Sequence, residues 1–368
     1  MSMHLFGSED IGDIYMTKEI HGGNIYKYDE KMYDFSANLN PLGMPEACKE
    51  AIVNNILSYE NYPDPFDREL KKAMSDYTNM PEEYFCFGNG AADIIFRITL
   101  ALKPRKALIA SPTFAEYRQA LEISGCETVD FLMSEEEGFF LDADRLISQI
   151  NKDIDMLFIC NPNNPTGIPV LKEDMLKIAK ACENSGTVLV VDECFSDFIK
   201  DEEKYSILEN IQDLRNTIIL KAFTKIYAMA GLRLGFSICS NEEFTEKIEE
   251  TLQPWSVSTV ASKAGCAALQ DRSFVEKTKK YIEKEKNYLI KNLCDMGVKT
   301  YDSAANYIFF RCEKEIIRPL LEKKILIRSC RNYIGLDNSY YRIAVRTHRE
   351  NEIFVEALED IVKKDERG

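Results

Sequence analysis

The sequence predicts an α/β protein: a large domain on a mostly parallel sheet, then a smaller α+β C-terminal domain. Three observations carry that expectation. Short apolar runs at residues 107–110, 154–160, 188–191 and 218–220 have the composition of strands buried on both faces. Helical patterns lie between them, and strand–helix alternation is the pattern of a parallel sheet. Each run is followed by a polar motif, in turn SPTFAEY, NPNNPTG, Asp192-Glu193 and KAFTK. Ligands in open α/β sheets bind outside the carboxyl ends of the strands, so four such ends point to one shared site.

In chain order, residues 1–40 form an arm expected to pack on the small domain or on a partner chain, and residues 41–245 form the large domain. Within it, CFGNGAADIIFRI reads as a glycine-bearing turn opening a helix. The free N–H groups around Gly90, Ala91 and Ala92 suit a phosphate. In LKEDMLKIAKACENSG, Leu171, Met175, Ile178 and Cys182 recur at helical spacing, and Ser185-Gly186 ends the pattern. From about Asn241 the chain turns helix-rich and charged, as in EEFTEKIEETLQ and DRSFVEKTKKYIEKEKNYLIKNL. Shorter strands follow, NYIFFRC and YYRIAVR, and residues 246–368 read as the small domain.

Composition removes several function classes. The 368 residues carry 46 Lys+Arg against 61 Asp+Glu, a net charge of −15, which disfavours nucleic acid as a partner. A local arginine cluster can still hold a small anion. Eleven scattered cysteines without a CxxC read as reduced thiols of a cytoplasmic protein. Three histidines without ligand spacing argue against a metal site. The first residues have no signal-peptide pattern, and no apolar run approaches the length of a membrane span.

The chemistry centres on Lys225, in KAFTKIYAMAGLRLGF, shortly after a buried strand. A lysine beside a closed pocket loses hydration, its pKa falls, and its amine can form a Schiff base. Arg233, in the glycine turn that follows, suits a phosphate. Asp192 ends an apolar strand, where a carboxylate needs a partner; a protonated pyridine nitrogen would serve. CNPNNPTG forces a rigid loop and offers side-chain amides, and Phe114 in SPTF can stack on a ring.

The order GNGAAD, SPTF, NPNNPTG, VVDE, TK, AGLRLG resembles the class I/II aminotransferase superfamily, fold type I, over nearly the whole chain. That resemblance implies a mostly parallel seven-stranded sheet and pyridoxal 5′-phosphate as cofactor. It makes Lys225 the lysine that carries the cofactor, Asp192 the ring-nitrogen partner, Asn164 the donor to the ring's 3-oxygen and Phe114 the stacking residue. Gly90, Ala91, Ala92, Thr224 and Arg233 match the phosphate cup. Tyr62, in NYPDP, resembles a tyrosine that reaches the phosphate of a neighbouring subunit, which implies a homodimer. Two positions depart from the pattern: Phe195 stands where many members have Tyr, and Ala222 where a Ser or Thr is common.

HGGNIY, DFSANLNPLGMP, PWSVS and IRSCRNYIGLDNSYYRIAVR are more similar to the L-threonine-O-3-phosphate decarboxylase family than to the histidinol-phosphate aminotransferases. This implies a small phosphorylated amino acid as substrate and a pocket lined by His21, Asn38, Asn164, Arg328 and Arg342, with Arg342 on the carboxylate. The implied product is (R)-1-amino-2-propanol O-2-phosphate, for cobalamin assembly. Decarboxylation of L-serine O-phosphate and transamination of the histidinol-phosphate type remain alternatives.

Overall fold

The computed structural model describes residues 21–363; the first twenty residues of the arm lie outside them. Strand β1 is Tyr33–Asp34. Seven strands then form the central sheet: β2 (Phe85–Asn89), β3 (Lys106–Ser111), β4 (Glu127–Leu132), β5 (Met156–Cys160), β6 (Val188–Asp192), β7 (Thr217–Ala222) and β8 (Leu234–Ile238). Their order is β2-β8-β7-β6-β5-β3-β4. Only β8 runs against its neighbours; the β3–β4, β3–β5, β5–β6 and β6–β7 pairs are parallel. This is the mostly parallel seven-stranded sheet that the motif order implied.

Every residue of β5, β6 and β7 is buried, so these strands read as continuous apolar runs. Successive side chains still point to opposite faces. Leu157, Leu189, Val191 and Ile219 join one core cluster with Met175 and Ile178 of the helix Lys172–Ser185. Phe158, Val190, Ile218 and Leu220 join the other, with Ile94 and Ile98 of the helix Ala91–Leu102. A fully buried Phe158 truncated to Ala would cost about 3–5 kcal/mol.

The expected helix spans Lys172–Ser185 and ends at Gly186, in the left-handed region at φ 79°. Leu171 lies outside it and is 53 % exposed, because it precedes the first turn and faces water instead of the sheet. Strands β6 and β7 run further than their apolar cores, through Asp192 and to Ala222.

A second sheet is antiparallel. It contains β9 (Lys299–Thr300), β10 (Tyr307–Arg311), β12 (Arg328–Ser329) and β13 (Tyr340–Ala344), in the order β12-β13-β10-β9. β1 pairs in parallel with β11 (Ile325–Leu326), which ties the segment after residue 21 to this C-terminal region. Arg328 and Arg342 are direct cross-strand partners in the β12–β13 register.

Glu135 is one of the residues that tie the antiparallel sheet to the central one. Glu135 follows β4 and accepts from Lys299 Nζ at 2.8 Å and Tyr301 OH at 2.5 Å on Oε1. Its Oε2 accepts from Arg311 at 2.6 Å and Tyr340 OH at 2.8 Å. Burial alone would push this carboxyl up, but those four donors hold it down at about 2. Among the described residues no helix is long and apolar enough to cross a membrane, and no group of His, Cys, Asp or Glu is arranged to hold a metal ion.

Candidate active site

The carboxyl ends of β5, β6 and β7 open into a cavity of ≈ 370 Å³, closed on the other side by β12 and β13. Asp192 stands at the centre of that edge, in register with Cys160 and Leu220. Its Oδ2 accepts from Tyr117 OH at 2.5 Å and its Oδ1 from the Cys194 amide at 2.9 Å. Two donors make a 5 %-exposed carboxylate tolerable and fix its direction. Burial and the charge of Asp192 push the Tyr117 phenol well above its usual range, so it stays a donor.

Lys225 lies in the short helix Phe223–Ile226 that caps β7, and its ammonium faces the cavity 5.7 Å from the centre of the Phe195 ring. Burial first, and then the Arg342 charge, lower its pKa from the ordinary 10.5. An amine prepared in this way is a nucleophile at lower pH than a surface lysine. Phe195 is buried edge-on against Tyr307, whose hydroxyl donates to the Asn163 carbonyl at 2.7 Å.

At one end of the cavity β2 turns into the helix Ala91–Leu102. Gly90 caps that helix at φ 84°, and a Cβ there would stand 2.5 Å from Arg233 Nη2. Gly235 on β8 is equally constrained, since its Cβ would meet the Ala91 amide nitrogen at 2.2 Å. Glycine at both positions lets strand, helix start and guanidinium come together. Ala91, Ala92, Thr224 and Arg233 line the cavity at this end, which gives a helix N-terminus, a hydroxyl and a cation for an anion.

At the other end stand the arginines, Arg328 and Arg342, each 6 % exposed. Arg342 Nη1 donates to Asn164 Oδ1, and Nη2 to the Ser36 carbonyl at 2.9 Å. Arg328 Nη2 donates to Asn332 Oδ1 at 2.7 Å and its guanidinium lies over the Tyr333 ring. His21, Asn38 and Phe114 also line the cavity. Thirteen of the fourteen expected site residues thus lie in or against one cavity, Gly90 through its contact with Arg233. The exception is Tyr62. It is 78 % exposed and stacks on Trp255, with ring centres 4.4 Å apart, away from this chain's cavity.

Glu116, Tyr117, Cys160, Cys194, Ser36 and Tyr333 also belong to the site and were not singled out from the sequence. Tyr117 carried a usable signal: it lies one helical turn after Phe114 in SPTFAEY. The Ser36 and Tyr333 contributions come from tertiary contacts and left no local pattern.

The cavity fits pyridoxal 5′-phosphate. The glycine-lined helix start with Arg233 suits its phosphate, Asp192 suits its ring nitrogen, and Lys225 lines the same cavity. Among the described residues, the buried Asn38 Oδ1 and Arg342 Nε have no hydrogen-bond partner, and such atoms call for a polar ligand.

A family model described as aminotransferase class I and II matches residues 30–358. A threonine-phosphate decarboxylase of Salmonella typhimurium is 38 % identical over 353 residues, 93 % of this chain and 96 % of that protein. A putative threonine-phosphate decarboxylase of Caldanaerobacter subterraneus subsp. tengcongensis is 36 % identical, covering 94 % of each chain. Among solved structures, the histidinol-phosphate aminotransferase of Clostridium acetobutylicum superposes with a TM-score of 0.84 at 32 % identity, over 89 % of this chain and 98 % of that one.

Proposed function

The chain belongs to the aminotransferase class I and II family, its cofactor is pyridoxal 5′-phosphate, and from that premise we propose that it decarboxylates L-threonine O-3-phosphate to (R)-1-amino-2-propanol O-2-phosphate, a step of cobalamin assembly. One observation carries the reading: two buried arginines, Arg328 and Arg342, share a cavity with Lys225. Two fixed guanidinium groups suit a substrate with two anionic groups, a carboxylate and a phosphate.

When bound, the cofactor supplies an electron sink conjugated to the substrate's amine. The protein's part is orientation. Arg342, held by Asn164 and Ser36, grips the carboxylate, while Arg328 and His21 take the phosphate. With both ends fixed by these side chains, the Cα–carboxylate bond would be the one presented to the cofactor's electron sink, and carbon dioxide would be the group that leaves. Asp192, fixed by Tyr117 and the Cys194 amide, would hold the cofactor's ring nitrogen and keep its proton there. Lys225 would carry the cofactor, and its amine, lowered in pKa by burial, would be the group to return a proton to Cα.

Tyr62, stacked on the exposed Trp255, and the exposed apolar residues near it in the chain, Val53, Ile56, Leu57 and Phe66, support a homodimer in which Tyr62 reaches the neighbouring site. The two sheets support the division into an arm (residues 1–40), a large domain (41–245) and a small domain (246–368). Eleven free cysteines support a cytoplasmic location.

Purified protein loaded with pyridoxal phosphate should release carbon dioxide from L-threonine O-3-phosphate. No release, together with amino transfer to 2-oxoglutarate from another amine, would establish the second reading, a histidinol-phosphate type of transamination. The 32 % identity to the Clostridium structure is the observation on the side of that alternative, and it is lower than the 38 % identity to the Salmonella decarboxylase. L-Serine O-phosphate, one methyl smaller, is the control substrate, and a methyl is worth only about 1–3 kcal/mol of discrimination.

A further inference from the structure

The cavity carries Lys225, Arg233, Arg328 and Arg342, yet two carboxylates also line it. Asp192 has donors on both oxygens. Glu116 does not. It is 7 % exposed, its Oε1 lies 2.6 Å from His21 Nε2, and its Oε2 has no partner among the described residues. A buried carboxylate in a pocket for anions repels its ligand unless a cation or donor stands between them. His21 is the group placed to do that.

The placement of His21 is built from both sides. Gly22 cannot carry a Cβ, which would stand 2.2 Å from the Ser36 carbonyl oxygen, and the Gly23 amide donates to Ser36 Oγ at 2.7 Å. That same Ser36 accepts from Arg342. The turn bearing His21 is therefore pinned to the arginine that faces the cavity. On its other side the imidazole meets Glu116, in the first turn of the helix Ala115–Ile123, where the helix dipole favours an acid. A carboxylate oxygen at 2.6 Å takes a hydrogen on Nε2, and a phosphate on the other ring nitrogen takes one on Nδ1, so a ring that bridges the two anions is the doubly protonated imidazolium.

We propose that Glu116 is a positioning residue for recognition of the substrate's phosphate: it orients His21 with Nε2–H toward itself, and the imidazolium so held turns Nδ1–H to the phosphate and screens the carboxylate from it. The inference rests on the reading that the substrate is an O-phosphoamino acid. It also predicts an asymmetry. Glu116 assists binding only while His21 is present; without the imidazole it is an uncompensated negative charge beside the phosphate.

The test is calorimetric binding of O-phospho-L-threonine to the holoenzyme, with carbon dioxide release measured in parallel. Glu116→Ala should weaken binding about tenfold, with the loss in KM more than in kcat, and Glu116→Gln, which keeps an acceptor, should recover part of it. L-Threonine, which lacks the phosphate, should bind both variants as it binds the wild type. His21→Ala should weaken phosphothreonine binding, and His21→Ala/Glu116→Ala should bind no more weakly than His21→Ala alone. Losses that multiply in the double variant, an equal loss for L-threonine, or a fall in kcat at constant KM would each overturn the proposal. A wild type that binds phosphothreonine without releasing carbon dioxide would overturn the decarboxylase reading, and the same binding ratios would still decide the role of Glu116. A wild type that binds no phosphothreonine overturns both.

Discussion

Glu135 offers a test of how the two sheets are held together. Its carboxylate takes four donors, three of them on β9, β10 and β13 and one, Tyr301, just after β9. The pKa falls from 4.5 to about 2, and each unit is worth about 1.4 kcal/mol, so the ceiling is about 3 kcal/mol. The side chain is still 23 % exposed, and screening brings the expected contribution to about 1.5 kcal/mol. The group's folded pKa is depressed, so its contribution is complete above 4.5 and disappears as pH falls from there towards 2. Denaturant midpoints of Glu135→Gln and wild type, measured from pH 7 down to pH 3, are the assay. The variant should be less stable by about 1.5 kcal/mol at pH 7, and the gap should narrow steadily below pH 4.5. Tyr340 shares a face of β13 with Arg342, so the variant should also raise KM for a carboxylate-bearing substrate. A gap that stays constant down to pH 3, or no gap at pH 7, would refute the reasoning.

Other outcomes follow from the site. Lys225→Ala should lower carbon dioxide release by about a thousandfold or more and abolish the visible absorbance band of the holoenzyme, which spectroscopy and the release assay read directly. Arg342→Leu removes the charge that, after burial, does most to depress Lys225. Its amine pKa should rise, so cofactor capture by the apoprotein should need more alkaline pH; an unchanged pH dependence would exclude this coupling. Gly235→Ala forces a methyl to within 2.2 Å of the Ala91 amide nitrogen. It should cost about 1–3 kcal/mol in stability and weaken retention of the cofactor in dialysis.

The parts legible in the sequence share one physical property. Strands β5, β6 and β7 are buried on both faces, so burial wrote itself into unbroken apolar runs. The edge strand β4 is partly exposed, with the pattern Glu-Thr-Val-Asp-Phe-Leu, and gives no such run. β8 contains Gly235, which lowers strand propensity but is required by the approach to Ala91. β2 carries Gly88 and runs straight into the glycine turn, so it reads as part of the phosphate motif. Asp192, Lys225 and Arg233 were visible because a charge beside a buried strand, or within a glycine turn, is costly without a ligand.

By itself the sequence determined the α/β class, the mostly parallel sheet and the identity of the groups at its carboxyl edge, because these depend on periodicity and on polar residues at fixed places along the chain. Tertiary structure decided which distant groups meet. The β12–β13 register sets Arg328 opposite Arg342, and Arg342 reaches Asn164 across 178 residues of chain. Tyr117 finds Asp192, and His21 finds Glu116, through contacts between elements that share no local pattern. Tyr62 turns away from this chain's cavity. Such pairings follow from the packing of whole layers, and a one-dimensional pattern records which face a residue takes but not what stands opposite it.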